Sequence, residues 1–382
     1  MLTRSTLADL VKHAARDAGF DLAGVAPASA ESLRELAYFP EWIAAGRAGE
    51  MEYLKARDEH GRLKRAALRH ATPWARSVVV CALNYNTHPP YSTECPGPAR
   101  GWISRYAWGS SDYHQVLLSR LQKVETDLRQ AVETAGGQEA QSLQTRCYVD
   151  TGPVLERVYA KYAGLGWIGK NTCVINQQFG SWLFLGVILT SLELAPDLPA
   201  PDRCGSCTRC LDACPTAAIP APYQLDATRC IAYLTIEKRS AIPEDLRAGM
   251  GRHLFGCDIC QDVCPWNQPQ GVKAPASSVS EFQPRPELVN PSLDWLASLS
   301  QDDFRALFRS SAIRRTKYSG LRRNLAVALG NSRDARFRPH LERLAQDSDP
   351  VVAEHARWAL ERVQDARVDA ARVEAGDPPA HW

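Results

Sequence analysis

The sequence predicts a multidomain chain of mixed α+β and α/β class. Three observations lead to this prediction. Strand-like apolar runs alternate with helical patterns in the first half, eight of the twelve cysteines fall between Cys204 and Cys264, and the residues after Leu321 have helical periodicity. A chain of 382 residues is long enough for two or three domains. We therefore expect an α/β domain at residues 1–195, a cysteine-rich domain at 196–290 and a helical domain at 291–382.

The first domain is predicted from its alternating periodicities. Residues 77–85, 147–150 and 182–189 are apolar enough for buried strands, and residues 110–134 and 154–164 have helical spacing. The chain begins with an amphipathic helix pattern that lacks the apolar core of a signal peptide. No uncharged apolar stretch reaches the roughly 18 residues that a membrane span needs. These features predict a cytoplasmic protein without a membrane partner.

The C-terminal domain is predicted to be helical and basic. The segments LRRNLAVALGNS and VVAEHARWALERV, with DSDP between them, fit paired helices of HEAT type. Residues 301–345 contain eleven Arg or Lys and four Asp or Glu, whereas the whole chain has a net charge of only +2. A nucleic-acid partner would explain this basic segment, and a solvated helix face is the alternative.

The cysteine spacing predicts two iron–sulfur clusters. The four cysteines of residues 204–214 follow the C-x2-C-x2-C-x3-C-P run of bacterial ferredoxins, whose fourth cysteine ligates the other cluster. A second run at residues 257–264 has Leu254 where its first cysteine should be, and Cys230 can fill the vacancy. We therefore expect a bacterial ferredoxin-like domain with two [4Fe–4S] clusters. Cluster one would take Cys204, Cys207, Cys210 and Cys264, and cluster two would take Cys214, Cys230, Cys257 and Cys260.

Two structural zinc sites are the alternative interpretation, because such sites also use C-x2-C pairs. Three cysteines within seven residues, followed by Cys-Pro, are unusual for zinc and typical of clusters. Two clusters on the order of 12 Å apart would relay electrons. The first domain should then hold a cofactor or substrate that accepts them.

Two motifs in the first domain leave their chemistry open. Residues 164–171, GLGWIGKN, come close to a phosphate-binding loop, but Asn171 replaces the magnesium-binding hydroxyl and the segment follows a helix. A Rossmann site is not indicated, because no G-x-G-x-x-G motif opens a helix after a strand. Asp150 ends a predicted strand, where a carboxylate would face the crevice of an α/β sheet. The alternative is that Asp150, Thr151 and Pro153 only begin the next helix.

Five segments of the sequence resemble the epoxyqueuosine reductase family. They are SRYAWGSSDYH, VDTGPVLERVYAKYAGLGWIGKNTCVI, CGSCTRCLDACPTAAI, RCIAYLTIEKRSAIP and GCDICQDVCPWN, and the likeness extends from about residue 5 to about residue 365. The resemblance implies a cobalamin-binding α/β domain and a HEAT-like tail. It also implies an enzyme that reduces epoxyqueuosine to queuosine at the wobble position of a tRNA, with electrons passed through two [4Fe–4S] clusters to cobalamin.

The resemblance implies roles for individual residues as well. Asp150 is the expected proton donor. Contacts to cobalamin are expected at Arg57, Tyr113, Asp150, Lys170, Asn171, Val174 and Asn176. Contacts to tRNA, which also draw on the basic segment, are expected at Arg157, Lys238, Arg239, Arg314, Arg315 and Lys317. We further expect a monomer that receives electrons from a flavodoxin- or ferredoxin-type donor.

Two other functions fit parts of the sequence. A corrinoid reductive dehalogenase acting on a small molecule would use the same cofactors, but it would leave the basic tail without a purpose. A non-catalytic ferredoxin-type electron carrier would use the clusters, but it would not need an α/β domain of about 190 residues with a carboxylate in its crevice.

Overall fold

The computed structural model of the chain describes residues 3–29, 33–88, 90–136, 138–268 and 274–374. The strands are β1 Leu22–Pro27, β2 Ser77–Asn84, β3 Trp102–Ile103, β4 Thr145–Tyr148, β5 Trp167–Ile168, β6 Val174–Ile175, β7 Leu183–Thr190 and β8 His253–Phe255. The α-helices of the first part are α1 Arg4–Asp17, α2 Tyr38–Ala44, α3 Tyr113–Ala135, α4 Gln138–Ser142 and α5 Glu156–Tyr162. The later helices are α6 Arg209–Asp212, α7 Ile231–Ile236, α8 Glu244–Arg247, α9 Ile259–Asp262, α10 Leu293–Ser298, α11 Gln301–Leu307, α12 Lys317–Ser332, α13 Arg338–Leu344 and α14 Pro350–Glu374.

A four-stranded sheet forms the centre of the first part, in the order β1-β2-β7-β4. The strands predicted at residues 77–85, 147–150 and 182–189 are present as β2, β4 and β7, whereas β1 was not predicted. Every pair of neighbouring strands is antiparallel. The fold is therefore mixed. The expectation that Asp150 lies in the crevice of an α/β sheet was wrong, because it assumed parallel strands. That crevice rule applies to parallel strands.

Helices cover both faces of this sheet. One face packs against α1 and α3, through residues such as Leu7, Val11 and Leu121. The other face packs against α5, through Val158 and Tyr159. Because β2 is buried along its whole length, it is apolar on both faces and reads as a continuous hydrophobic run rather than an alternating one.

The cysteine-rich segment shares its core with the C-terminal helices. The strand β8 pairs in parallel with β3, which joins this segment to the first part of the chain. Residues of β8, α7, α12 and α14 belong to one continuous hydrophobic cluster. The three predicted domain ranges and the HEAT-type assignment stay predictions. In the described ranges, no helix is both long and apolar enough to cross a membrane.

Arg323 connects α12 to the cysteine-rich segment through hydrogen bonds. Its guanidinium is 2% exposed and donates to the carbonyl oxygens of Leu234 at 2.6 Å, Lys238 at 2.8 Å and Ser240 at 3.2 Å. Buried carbonyl groups need such partners, because leaving them unpaired costs free energy.

We predict that Arg323→Met lowers the free energy of unfolding by about 3 kcal/mol, because the buried carbonyl oxygen of Leu234 and the partly buried carbonyl oxygens of Lys238 and Ser240 lose their charged donor. Chemical denaturation of the variant and the parent protein checks this. Arg305→Met is the control, because Arg305 is 66% exposed and its ion pair with Asp302 should contribute less than about 1 kcal/mol. Equal losses in the two variants would contradict the assigned role of Arg323.

Candidate active site and cluster sites

Asp150 lies in a bend directly after β4. Its backbone is left-handed, with φ 55°, and its side chain is 53% exposed. The helix α5 begins six residues later, and its N-cap residue is Leu155, which makes no side-chain capping bond. The prediction that Asp150, Thr151 and Pro153 could begin this helix is therefore wrong. The carboxylate of Asp150 does not cap α5.

Residues at the start of α3 hold the carboxylate of Asp150. The hydroxyl of Tyr113 donates to Asp150 Oδ2 in a short hydrogen bond, and His114 Nε2 lies 3.7 Å from the same oxygen. Asp112 caps α3 and accepts a hydrogen bond from the backbone N–H of His114. The Asp112 carboxylate also contacts His114 Nδ1 at 2.7 Å, which fixes the orientation of the imidazole ring.

Aromatic rings form a wall beside Asp150. The ring of Tyr113 stacks on Phe184 with centroids 4.2 Å apart and an interplanar angle of 2°, and the ring of Tyr106 meets Tyr113 edge-on at 5.9 Å. Burial, followed by the negative charge of Asp150, raises the pKa of Tyr113 well above its ordinary value. The Tyr113 hydroxyl therefore stays protonated near neutral pH and can donate its hydrogen bond to Asp150.

Glu156, at the start of α5, is a second acidic residue near Asp150 that the sequence did not single out. Its Oε1 atom is fully enclosed and, among the described residues, has no hydrogen-bond partner. Burial and then the charge of Asp150 raise the pKa of Glu156 to about 7, against the opposing charges of Arg65 and Arg157. Part of the Glu156 population is therefore protonated near neutral pH.

The structure brings the eight predicted cysteine ligands together in two groups. Burial raises the pKa of Cys264 to about 12, and Cys204 and Cys210 are among its charged neighbours. Burial, and then the charges of Cys204 and Cys207, raise the pKa of Cys210 to about 11. The other group contains Cys214, Cys230, Cys257 and Cys260, whose thiol charges act on one another. Cys173, which was not a predicted ligand, lies beside Cys260 in the second group, and the assignment of the two ligand sets stays a prediction.

All twelve cysteines are free thiols. In the described part of the chain, no three His, Cys, Asp or Glu side chains lie close enough together to hold a single metal ion. A [4Fe–4S] cluster takes four thiolates around a larger core. The donor set of two groups of four thiols fits two such clusters.

The segment GLGWIGKN contributes to a β-hairpin, residues 167–175, that lies between the two cysteine groups. The strands β5 and β6 form the hairpin, and Trp167 packs edge-on against Trp266 with centroids 4.9 Å apart. At the tip of the hairpin, Lys170 Nζ donates to the carbonyl oxygens of Gly205 and Cys207, and Asn171 Nδ2 donates to the carbonyl oxygen of Cys260. The hairpin therefore touches the ligand loops of both predicted clusters.

The residues expected to contact cobalamin lie in several parts of the structure. Tyr113 and Asp150 meet each other, and Val174 is buried in β6. Asn176 donates to the carbonyl oxygen of Leu165 at 2.6 Å. Lys170 and Asn171 are engaged with the cysteine loops, and the guanidinium of Arg57 donates to the carbonyl oxygen of Gly61 at 2.6 Å. The structure brings only Tyr113 and Asp150 into direct contact, and the cobalamin roles stay predictions.

Five of the six residues expected to contact tRNA have hydrogen-bond partners within the chain, and Arg157 and Arg314 among them donate to the carbonyl oxygens of Thr172 and Arg309. Lys238 pairs with Glu50 at 3.0 Å, and Arg239 donates to the carbonyl oxygens of Arg315 and Thr316. Arg315 is itself paired with Glu237. The other three residues have no carboxylate partner among the described residues. They are Arg157, Arg314 and Lys317.

Two family models match segments of the chain. Residues 203–267 match the model described as "4Fe-4S double cluster binding domain". Residues 65–151, which end one residue after Asp150, match the model described as "Epoxyqueuosine reductase QueG, DUF1730".

Whole proteins are similar to the chain as well. A protein of Synechocystis named epoxyqueuosine reductase is 44% identical over 308 residues, which cover 80% of this chain and 99% of that protein. The Escherichia coli protein of the same name is 37% identical over 362 residues, with 94% and 90% covered.

Among solved structures, the chain is similar to epoxyqueuosine reductase with an epoxyqueuosine-modified tRNA-Tyr stem loop, at 31% identity and a TM-score of 0.80. The match covers 94% of this chain and 91% of that one. A Bacillus subtilis epoxyqueuosine reductase, whose catalytic aspartate loop is swung out of the active site, is similar at 30% identity and a TM-score of 0.79. That match also covers 94% and 91% of the two chains.

We predict that Cys230→Ala lowers the iron content from about eight to about four atoms per chain, because Cys230 fills the vacant ligand position of cluster two. Iron and acid-labile sulfide assays on anaerobically reconstituted protein check this. Cys95→Ala is the matched control, because the Cys95 thiol contacts the backbone of Arg100 and Gly101 rather than another cysteine. An unchanged iron content in Cys230→Ala would remove this residue from the ligand set.

We predict that Glu156→Gln changes the dependence of stability on pH. The pKa of Glu156 is raised in the folded state, so between about pH 4.5 and about pH 7 the unfolded chain releases the Glu156 proton more easily than the folded chain does. The parent protein therefore loses stability as the pH rises through this range. The glutamine variant lacks this loss. Its thermal unfolding midpoint, relative to that of the parent, should therefore be higher at about pH 8 than at about pH 5.

Glu59→Gln is the control for this measurement, because the Glu59 side chain is 86% exposed. Its midpoint relative to the parent should be the same at both pH values. A Glu156→Gln difference that does not change with pH would contradict the raised pKa of Glu156.

Proposed function

This chain belongs to the epoxyqueuosine reductase family, and we propose that it reduces the epoxide of epoxyqueuosine in tRNA, with Asp150 as the proton donor. One observation carries the proposal for Asp150. A half-exposed carboxylate, held by Tyr113, stands at the start of the segment that continues through α5 to the hairpin between the two cysteine groups. The Bacillus subtilis relative has a catalytic loop that is named by an aspartate, which supports a catalytic aspartate in this chain.

The chain binds two [4Fe–4S] clusters through its cysteine-rich segment. We assign the first cluster to the group that contains Cys204, Cys207, Cys210 and Cys264, and the second to the group that contains Cys214, Cys230, Cys257 and Cys260. The mutual electrostatic influence of the thiols within each group supports this assignment.

The net reaction determines how many electrons and protons the active site must supply. Conversion of an epoxide to an alkene takes up two electrons and two protons and releases the oxygen as water. Cobalamin, when bound, supplies electrons at the substrate carbon, and the clusters return electrons to it. The partly exposed Asp150 and His114 offer hydrogen-bonding groups, and the rings of Tyr113 and Phe184 stack behind them. Such hydrogen-bonding groups suit the amide-bearing rim of a corrin ring.

Asp150 and the residues that contact its carboxyl group would carry out the proton transfer. The carboxyl group of Asp150 would protonate the departing epoxide oxygen and would be left as a carboxylate. The Tyr113 hydroxyl then stabilises this carboxylate through its hydrogen bond, and His114 lies near enough to add a second contact. Tyr113 itself does not release its proton, because its pKa is raised well above the ordinary value.

The tRNA would lie across the basic surface next to this site. Arg157 follows Glu156 on α5, and Arg314 lies close enough to Asp112 for its charge to act on that carboxylate. Arg314 and Lys317 belong to the basic segment, which is thereby near the start of α3. A tRNA substrate fits a reaction in the cytoplasm. The electron donor and the oligomeric state stay predictions.

The alternative of a simple electron carrier is disfavoured by the extent of the similarity. The curated relatives match 80% and 94% of this chain, rather than the cysteine-rich segment alone.

We predict that Asp150→Asn lowers the rate of epoxide reduction by at least about 100-fold, because asparagine cannot donate the proton. The rate of queuosine formation in epoxyqueuosine-containing tRNA measures this, and cobalamin absorbance and iron content confirm that both cofactors are still bound. Asp9→Asn is the control, because Asp9 is 72% exposed on α1 and should leave the rate unchanged. A fully active Asp150→Asn enzyme would exclude Asp150 as the donor.

We predict that the double variant Arg314→Gln and Lys317→Gln binds tRNA with a weaker dependence on salt. Each lost phosphate contact should reduce the slope of log affinity against log salt by about one. Fluorescence anisotropy at several salt concentrations measures the slope. Lys123→Gln, on α3 beside the end of α1, is the control. A slope equal to that of the parent would favour the interpretation of the basic segment as a solvated helix face.

A further inference from the structure

Lys170 is the cationic residue within the hairpin tip, residues 169–173. Lys170 Nζ donates to the carbonyl oxygen of Gly205 at 2.7 Å and to that of Cys207 at 2.9 Å. Both carbonyls belong to the loop that carries Cys204 and Cys207, two ligands of cluster one. In the described ranges, no carboxylate forms an ion pair with this lysine.

The same tip reaches the other cluster through Asn171 and Cys173. Asn171 Nδ2 donates to the carbonyl oxygen of Cys260 at 3.2 Å, and the thiol of Cys173 lies beside the thiol of Cys260. The guanidinium of Arg157, on α5, donates to the carbonyl oxygen of Thr172 at 3.1 Å, and its charge acts on Cys173. The ammonium group of Lys170 therefore lies directly at the ligand loop of cluster one, whereas the contacts to Cys260 are made by an amide and a thiol.

We propose that Lys170 is a positioning residue that makes cluster one easier to reduce than it would be without the lysine. The inference rests on the two-cluster assignment made above. A [4Fe–4S] cluster gains one negative charge when it takes up an electron, and a nearby positive charge stabilises the more negative state. Local charge and hydrogen bonding are among the factors that set cluster potentials. The two hydrogen bonds of Lys170 also fix the loop that carries Cys204 and Cys207.

A redox titration of the reconstituted full-length chain, followed by electron paramagnetic resonance, tests this proposal. In the parent protein the titration resolves two one-electron components. Lys170→Gln should move one component to a more negative potential and leave the other in place. At the parent midpoint, the ratio of reduced to oxidised cluster in that component should fall at least about tenfold, which corresponds to about 59 mV for one electron. Lys170→Arg keeps the charge and should restore most of the shift.

A second pair of variants separates charge from loop geometry. A Cβ atom at Gly205 would have nothing within 4 Å, although φ is +53° there, a conformation that Asp and Asn tolerate better than most residues. Gly205→Asp would bring a carboxylate next to the Lys170 ammonium and should shift the same component to a more negative potential. Gly205→Asn has the same shape without the charge and should not. This pair tests whether the potential of the component responds to charge at this loop, and Lys170→Gln tests whether the lysine supplies that charge.

Two results would overturn the proposal. One is a pair of midpoints that Lys170→Gln leaves unchanged, and the other is an equal shift in Gly205→Asp and Gly205→Asn. The titration needs neither cobalamin nor tRNA, so these results would leave the proposed epoxide reduction intact. Conversely, a parent protein that shows the expected potentials and does not convert epoxyqueuosine would refute the function and keep the role of Lys170.

Discussion

The position of the hairpin at residues 167–175, between the two cysteine groups, is the constraint on which the rest of the site depends. Its tip holds the backbone of both ligand loops through Lys170 and Asn171, and Trp167 packs against Trp266 beside Cys264. The same chain segment begins with Asp150 and passes through α5. One continuous stretch of about 25 residues therefore connects Asp150, the proposed proton donor, to the loops of the two cysteine groups.

The parts of the site that the sequence predicted depend on local spacing. Cluster ligation requires cysteines two or three residues apart, so the ligand runs can be recognised without knowing the fold. The isolated Cys230 could be assigned because one position was vacant, and the structure brings it beside Cys214 and Cys257. The buried strands β2 and β7 were predictable for a similar reason, because a strand buried on both faces is a continuous apolar run.

The parts that could not be predicted depend on contacts between distant residues. Strand direction is not encoded in a strand's own periodicity, so the antiparallel sheet was missed. The motif around Lys170 suggests a phosphate or cofactor contact. Its ammonium group instead donates hydrogen bonds to carbonyl oxygens 35 and 37 residues away. The enclosed oxygen of Glu156 results from packing around α5, and nothing in the surrounding sequence indicates it.

The central claim is that two clusters deliver the electrons that remove the epoxide at Asp150, and a single-turnover experiment tests it most directly. Both clusters are reduced, excess reductant is removed, and cobalamin-loaded protein is mixed with epoxyqueuosine-containing tRNA. Two one-electron clusters hold enough electrons for one epoxide. The account predicts that the cluster absorbance returns in step with queuosine formation, with about one product per chain. Product that forms while both clusters stay reduced would contradict it.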